Sequence, residues 1–142
     1  MRFDIHPFSG MDAAREWGRD EIDKAAAVAR GRFITLTPGQ ETTYQAKYAE
    51  ALAFAGGDPA GDPAAFPWIA AEAQRAGISL GAAAERIKRK GDQWNQVYGP
   101  RIEAARVIAK DRLVNLVEIG QVVQAARAAV AALQEIKPEG GG

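Results

Sequence analysis

The single histidine of the 142-residue chain, His6, stands beside Pro7 in a stretch rich in turn formers, and the chain has no cysteine. One imidazole cannot assemble a histidine-rich metal site, and no nucleophile or carboxylate lies at motif spacing around it. A surface or arm contact is its expected role. The absence of thiols excludes disulfides and thiolate chemistry. Glu41, Glu50, Asp58 and Asp62 could in principle surround a divalent cation, but Asp58-Pro59 and Asp62-Pro63 are ordinary turn-initiating pairs. No calcium-loop spacing accompanies them. The glycine-rich run from Ala55 to Gly61 has no preceding strand and no following Gly-Lys-Ser/Thr, so it is not a phosphate cradle. No catalytic residue, metal ligand, cofactor or small-molecule substrate is expected.

The strongest local charge feature is Arg86-Ile87-Lys88-Arg89-Lys90, with Trp94 and Tyr98 one and two turns further on. A basic helix with aromatics can bind nucleic acid or a membrane surface. Helical spacing puts Arg86, Arg89 and Lys90 on one face and turns Lys88 away from it. Three charges on a chain of zero net charge make a weak electrostatic footprint, so a solvated face is the better reading. Trp17, Trp68 and Trp94, with Tyr44 and Tyr48, read as packing anchors supplying buried area that the abundant alanines do not. A stacking or ligand-cage role for the tryptophans has no support in the sequence.

These side chains require an all-α scaffold to position them. Residues 1–10 read as an extended N-terminal arm, and Ser9 with Asp12 marks a helix start. A helix is expected from Met11 to about Arg30, burying Trp17, Ile22, Ala25, Val28 and Ala29. Arg32–Leu36 is the best strand candidate, though one short strand needs a partner. Thr37, Pro38 and Gln40 form a capping box opening a helix to about Phe54, with Tyr44, Lys47, Tyr48, Ala51 and Leu52 on one face. The proline- and glycine-dense stretch 56–67 is a loop. A short helix Pro67–Ala76 stops at Gly77, and Ser79 caps a fourth helix running from Leu80 towards Tyr98, weakened by Gly81 and Gly91.

Gly99-Pro100 should kink or break that helix. Beyond it the helical pattern resumes over 99–137 as one long helix, on the order of 50 Å, before a flexible tail at 138–142. Counting in sevens gives Ile102, Ala105, Ala109, Arg112, Leu116, Ile119, Val123, Ala126, Val130 and Leu133, in which only Arg112 is not apolar. A sustained 3.5-residue period predicts a coiled-coil or oligomeric bundle seam, with Arg112 as a register or partner contact. A second row, Ile108, Val122, Ala129 and Ile136, widens the stripe beyond what two helices need. Gly120 is its weak point. The competing expectation is that this helix packs on its own chain's shorter helices, within the helical body 11–98.

Composition agrees with an assembling helical protein. Alanine makes helices readily and cores with difficulty, so burying helix faces against further copies would be favourable. The start lacks a signal-peptide apolar run, and no stretch of about 18 uncharged apolar residues could span a membrane. A soluble protein made in a cytoplasm is expected.

Several stretches taken in order carry a resemblance. They are Arg32-Phe33-Ile34-Thr35, Pro38-Gly39-Gln40-Glu41-Thr42-Thr43-Tyr44-Gln45-Ala46-Lys47 and the Asp58-Pro59 to Asp62-Pro63 loop. Phe66-Pro67-Trp68-Ile69-Ala70-Ala71-Glu72-Ala73, Gly77-Ile78-Ser79-Leu80 and a helix with Trp94 and Ile102-Glu103-Ala104-Ala105-Arg106 complete them. This order resembles small helical proteins of uncharacterised families encoded among tail and tail-fibre genes of phages and prophages. The similarity covers roughly residues 13–110 and lies in caps, turns and packing positions. It departs from the pattern at Gly99-Pro100 and in the heptads beyond. What it implies is a non-enzymatic structural part of a tail tip, baseplate or fibre, located in the virion, without cofactor. Its partners would be further copies of itself, a trimer above all, and other tail proteins. A tail-fibre assembly chaperone absent from the finished virion is one alternative. A nucleic-acid-binding regulator using residues 86–90, which a low-salt gel shift would expose, is another.

Overall fold

Residues 8–34, 40–55 and 62–138 are described by the structure, a computed structural model, and every regular element among them is helical. The helices are α1 (Met11–Gly31), α2 (Gln40–Ala55), α3 (Pro67–Ala76), α4 (Leu80–Gln93), α5 (Gly99–Val114) and α6 (Ile119–Gln134). A 3-10 turn at Pro63–Ala65 precedes α3, and a π-helical segment at Trp94–Tyr98 joins α4 to α5. Residues 1–7 of the arm, residues 35–39 with the end of the strand candidate and the start of the capping box, the loop residues 56–61 and the tail at 139–142 lie outside the described residues.

Several sequence expectations need correction. Arg32–Ile34, read as strand, is a turn closing α1, with the Arg32 and Phe33 amides donating to the Ala29 and Arg30 carbonyls. Ser9 does not cap α1. The N-cap position is Gly10, whose carbonyl accepts from the Ala14 amide at 3.1 Å. The single helix over 99–137 is two helices of 16 residues, α5 and α6, separated by Asn115–Glu118. The fourth correction is the grouping of helices. The chain forms two units, one of α1, α5 and α6 and one of α2, α3 and α4, so α1 does not belong with the body that ends near residue 98.

The break after Val114 has local causes. Asn115 is a poor helix former, Val114 and Val117 are β-branched, and Glu118 takes an extended conformation (φ −124, ψ 141) that opens α6. Gly120 therefore sits in the first turn of α6 rather than in a helix interior. At Gly99-Pro100 there is neither a break nor a loop. Pro100 occupies the first turn of α5 and has no amide for the Gln96 carbonyl, and the wider π turn before it lets the helical path continue.

Contacts within the first unit fix its topology as a three-helix bundle. Asp23 in the middle of α1 reaches Arg106 and Lys110 of α5 at 3.1 and 2.9 Å, and Arg15 near its start reaches the end of α5, so these helices run antiparallel. Arg32 just past α1 reaches the end of α6, so α1 and α6 run parallel. The buried face of α1 is Ala14, Gly18, Ile22, Ala26 and Ala29, one large side chain among small ones. Small residues let the backbones approach, and Ile22, Ile102, Leu113, Val122 and Leu133 fill the centre. Val28, expected inside, is exposed because it lies a quarter-turn off this row.

Two arginines close the open ends of the bundle. The Arg15 guanidinium donates to the Leu113 carbonyl (3.2 Å) and the Leu116 carbonyl (2.8 Å) at the end of α5. Arg32 does the same for α6 at Leu133 (3.1 Å) and Ile136 (2.9 Å). Charge-assisted bonds to a helix C-terminus also oppose its dipole. Replacing either arginine with methionine should cost about 1.5 kcal/mol in urea unfolding. A loss below about 0.5 kcal/mol, the level of ordinary surface changes, would show that these caps contribute nothing specific.

In the second unit α2, α3 and α4 pack around Ala51, Phe54, Ile69, Ala73, Ala83 and Ala84. Phe54 meets Phe66 edge-on, with ring centroids 5.1 Å apart at 80°. Phe66 cannot cap α3, and Glu50 of α2 substitutes by accepting from the Ile69 amide at 2.8 Å. Ser79 caps α4 as its sequence suggests, accepting from the Ala82 amide at 3.1 Å. Gly77 ends α3 in the left-handed region (φ 68).

Candidate assembly surface

The ten seam positions do not line one continuous face. Ile102, Val123, Ala126 and Leu133 are buried inside the first unit, so they are core rather than interface. Ala105, Ala109, Leu116, Ile119 and Val130 are half-buried, and Arg112 is exposed. The bundle that covers them is formed by α1, α5 and α6 of the same chain, not by the four shorter helices together. Leu116 lies in the turn before α6 and Ile119 in its first turn, so charges placed there would test folding rather than association. Leu113, one residue off the heptad, is fully buried.

What the bundle leaves uncovered lies mostly on the outer side of α5. Val107 is exposed, Ile108 and Val114 are 61% and 60% accessible, and Val117 in the following turn is 78% accessible. Spacings of 107, 108 and 114 place these on one stripe, and Val117 extends it past the helix end. Asp111 and Arg112, both exposed, carry opposite charges in the middle of that stripe. Such a face complements itself. Two α5 helices set antiparallel about the Asp111–Arg112 point would set each Asp111 opposite the other copy's Arg112 and bring Ile108 and Val114 within about one residue of each other along the axis.

The opposite side of α5 holds α1. Burial pushes the Asp23 carboxyl up, but hydrogen bonds from Lys110 and Arg106 outweigh it and hold the group below the usual carboxylate range. Arg106 is itself pushed up by Glu103 and then by Asp23. Phe33 stacks on Tyr98 with centroids 4.4 Å apart, and the Arg101 guanidinium sits 5.7 Å from the same tyrosine ring.

The expected anchors divide. Trp17 is half-buried against Phe8 (centroids 5.3 Å apart) and lines a groove with the seam residues Ala126 and Val130. Tyr44, Tyr48 and Trp94 are half-buried in the second unit. Trp68 is 40% exposed and is not a core anchor, because the buried row of α3 is Ile69 and Ala73, one position on. Of the α2 face, Ala51 is buried but Leu52 is exposed, and Phe54 takes the core position. In the basic run, Arg86, Arg89 and Lys90 are exposed. Lys88 pairs with Asp92 at 2.7 Å, and Arg89 approaches Glu85 only to 3.9 Å.

Among the described residues no group of three or more His, Asp or Glu side chains could hold a metal ion, and no helix is long and apolar enough to cross a membrane. No protein-family model matches the chain, and no curated protein or solved structure is detectably similar to it.

Proposed function

We propose that this protein is a non-enzymatic structural component of a bacteriophage tail, at the tip, baseplate or fibre, that assembles through the outer face of α5. The exposed, self-complementary stripe of Val107, Ile108, Val114 and Val117 around Asp111 and Arg112 carries the reading. The tail context rests on the sequence resemblance over residues 13–110. A threefold stalk built on one continuous seam has lost its basis, since α5 and α6 are separate helices. A pairwise contact takes its place. A 16-residue helix is about 24 Å long, so one α5 face buries well under the roughly 800 Å² per partner of a standard interface. The isolated protein therefore dimerises weakly, and repetition within a particle strengthens the contact.

Light scattering after size exclusion, across a concentration series, tests this. Mass should rise from monomer towards dimer with concentration. The Ile108→Asp/Val114→Asp double variant should weaken association at least tenfold with its helicity unchanged. A wild type monomeric throughout, or a variant that associates equally well, overturns the α5 contact. Proteomics of purified virions separates the tail part, present in stoichiometric amount, from an assembly chaperone, which would be absent.

A further inference from the structure

The second unit holds a cavity of about 290 Å³ lined by Ile34, Tyr44, Gln45, Tyr48, Trp94 and Asn95. Three of these are aromatic, two are primary amides and one is aliphatic. None carries a formal charge. Its walls are built rather than incidental. The Tyr48 ring lies against Gly91, where any side chain would collide with it, and its hydroxyl donates to Asp92 Oδ1 at 2.6 Å. Asn95 also hydrogen-bonds the Tyr48 side chain. The Tyr44 hydroxyl reaches towards the Lys90 carbonyl at 3.5 Å, and burial pushes its phenol up to about 12.

Trp94 and Asn95 enter this cavity from the first two positions of the π-helical segment Trp94–Tyr98. A π turn shifts side chains round the helix relative to an α-helix, and such turns concentrate at functional sites. Pro100 accounts for some irregularity in the ladder, but not for an aromatic ring and an amide delivered together into one cavity.

The lining chemistry narrows the ligand. Aromatic faces with an aliphatic wall accept a flat apolar surface, and Gln45 and Asn95 each offer both a donor and an acceptor to neighbouring hydroxyls. Three rings could also cage a quaternary ammonium. The nearby charge argues against a cation, because Asp92 is already bonded to Tyr48 and to Lys88 at 2.7 Å, and Lys90 is close. Among the described lining residues no cation stands ready for an anion. A neutral sugar ring has apolar C–H faces and equatorial hydroxyls and satisfies both parts of the wall. We propose that this cavity binds one neutral pyranose residue, free or at the end of a glycan, without chemical change. The volume is at the low end for ligand sites, which suits a single ring.

The test is a titration of the ¹⁵N-labelled full chain, followed by amide and indole NMR shifts. The probes are methyl α-D-glucopyranoside, methyl α-D-galactopyranoside, N-acetyl-D-glucosamine and choline. At least one sugar should shift the side-chain signals of Gln45, Trp94 and Asn95 together, with a Kd on the order of 1 mM. Gln45→Ala and Asn95→Ala, both at exposed positions, should each weaken that binding several-fold with the rest of the spectrum unchanged. Trp94→Ala should abolish it, read only with an intact spectrum elsewhere. Silence from all three sugars overturns the proposal, as does saturable binding of choline alone. Shifts spread over surface residues away from the cavity do so too.

Discussion

Replacing Gly91 with alanine should destabilise the second unit by about 1–3 kcal/mol, lowering the melting temperature by roughly 5–10 °C. Helix propensity alone gives the opposite sign, since alanine in a helix interior is favoured over glycine by about 1 kcal/mol. The structure decides between them. A Cβ at position 91 would fall inside the Tyr48 ring, against Cδ1 and Cε1. That ring cannot swing away freely, because its hydroxyl is bonded to Asp92, one residue on from Gly91. Either α2 and α4 separate or that bond breaks. The check is a double-mutant cycle with Tyr48→Ala, in which the added methyl should become neutral or stabilising once the ring is gone. A Gly91→Ala protein more stable than wild type would mean that the close approach of α2 and α4 does not exist.

The second large effect is expected from Leu113→Ala, at about 3–5 kcal/mol. Leu113 is fully buried, and its Cδ1 would lie 2.7 Å from a Cβ placed on Gly18. The neighbour that should fill the vacancy thus has no side chain, and the backbones are already close, so the cavity stays open. Its repair can be designed from the same contact. Gly18→Ala in the wild type should be costly, whereas in the Leu113→Ala background it should recover part of the loss. Hydrogen exchange should show protection falling in α1, α5 and α6 first. Additive effects of the two substitutions would remove Gly18 from contact with Leu113.

Which parts of this were legible in the sequence follows from how local each signal was. Pro67, Gly77 and Ser79 act within a few residues of themselves, and α3 and the start of α4 fall where they indicate. The heptad count failed for a definite reason. The turn Asn115–Glu118 has four residues, so a period of three and four passes through it undisturbed, and a helical hairpin gives the same list of apolar positions as one long helix. Asn115 among β-branched residues is the local sign of the break. Arg15 and Arg32 were unreadable, since their acceptors are backbone carbonyls about a hundred positions away. The roles of Gly18 and Gly91 are not legible, because a glycine's neighbour across a helix pair leaves no trace near it in sequence. The α5 stripe was half-visible. Ile108 stood in the second row, but its outward orientation depends on α1 occupying the other side.

Helices on either side of the second unit complete one bundle, which gives its biosynthesis a particular order. α1 emerges early with Ile22 on its face and has no partner until α5 and α6 have been translated, a separation of about a hundred residues. At roughly 5–20 residues per second, the interval is on the order of 5–20 s. A lone 21-residue helix is marginal in water, so for that time the nascent segment is a sticky, fluctuating chain. The second unit, contiguous from Ile34 to Val97, has all its partners on hand within the same interval. Vectorial synthesis therefore yields the inserted unit first and its host last, and the nascent α1 is the stretch most exposed to holding factors and to premature pairing between neighbouring ribosomes.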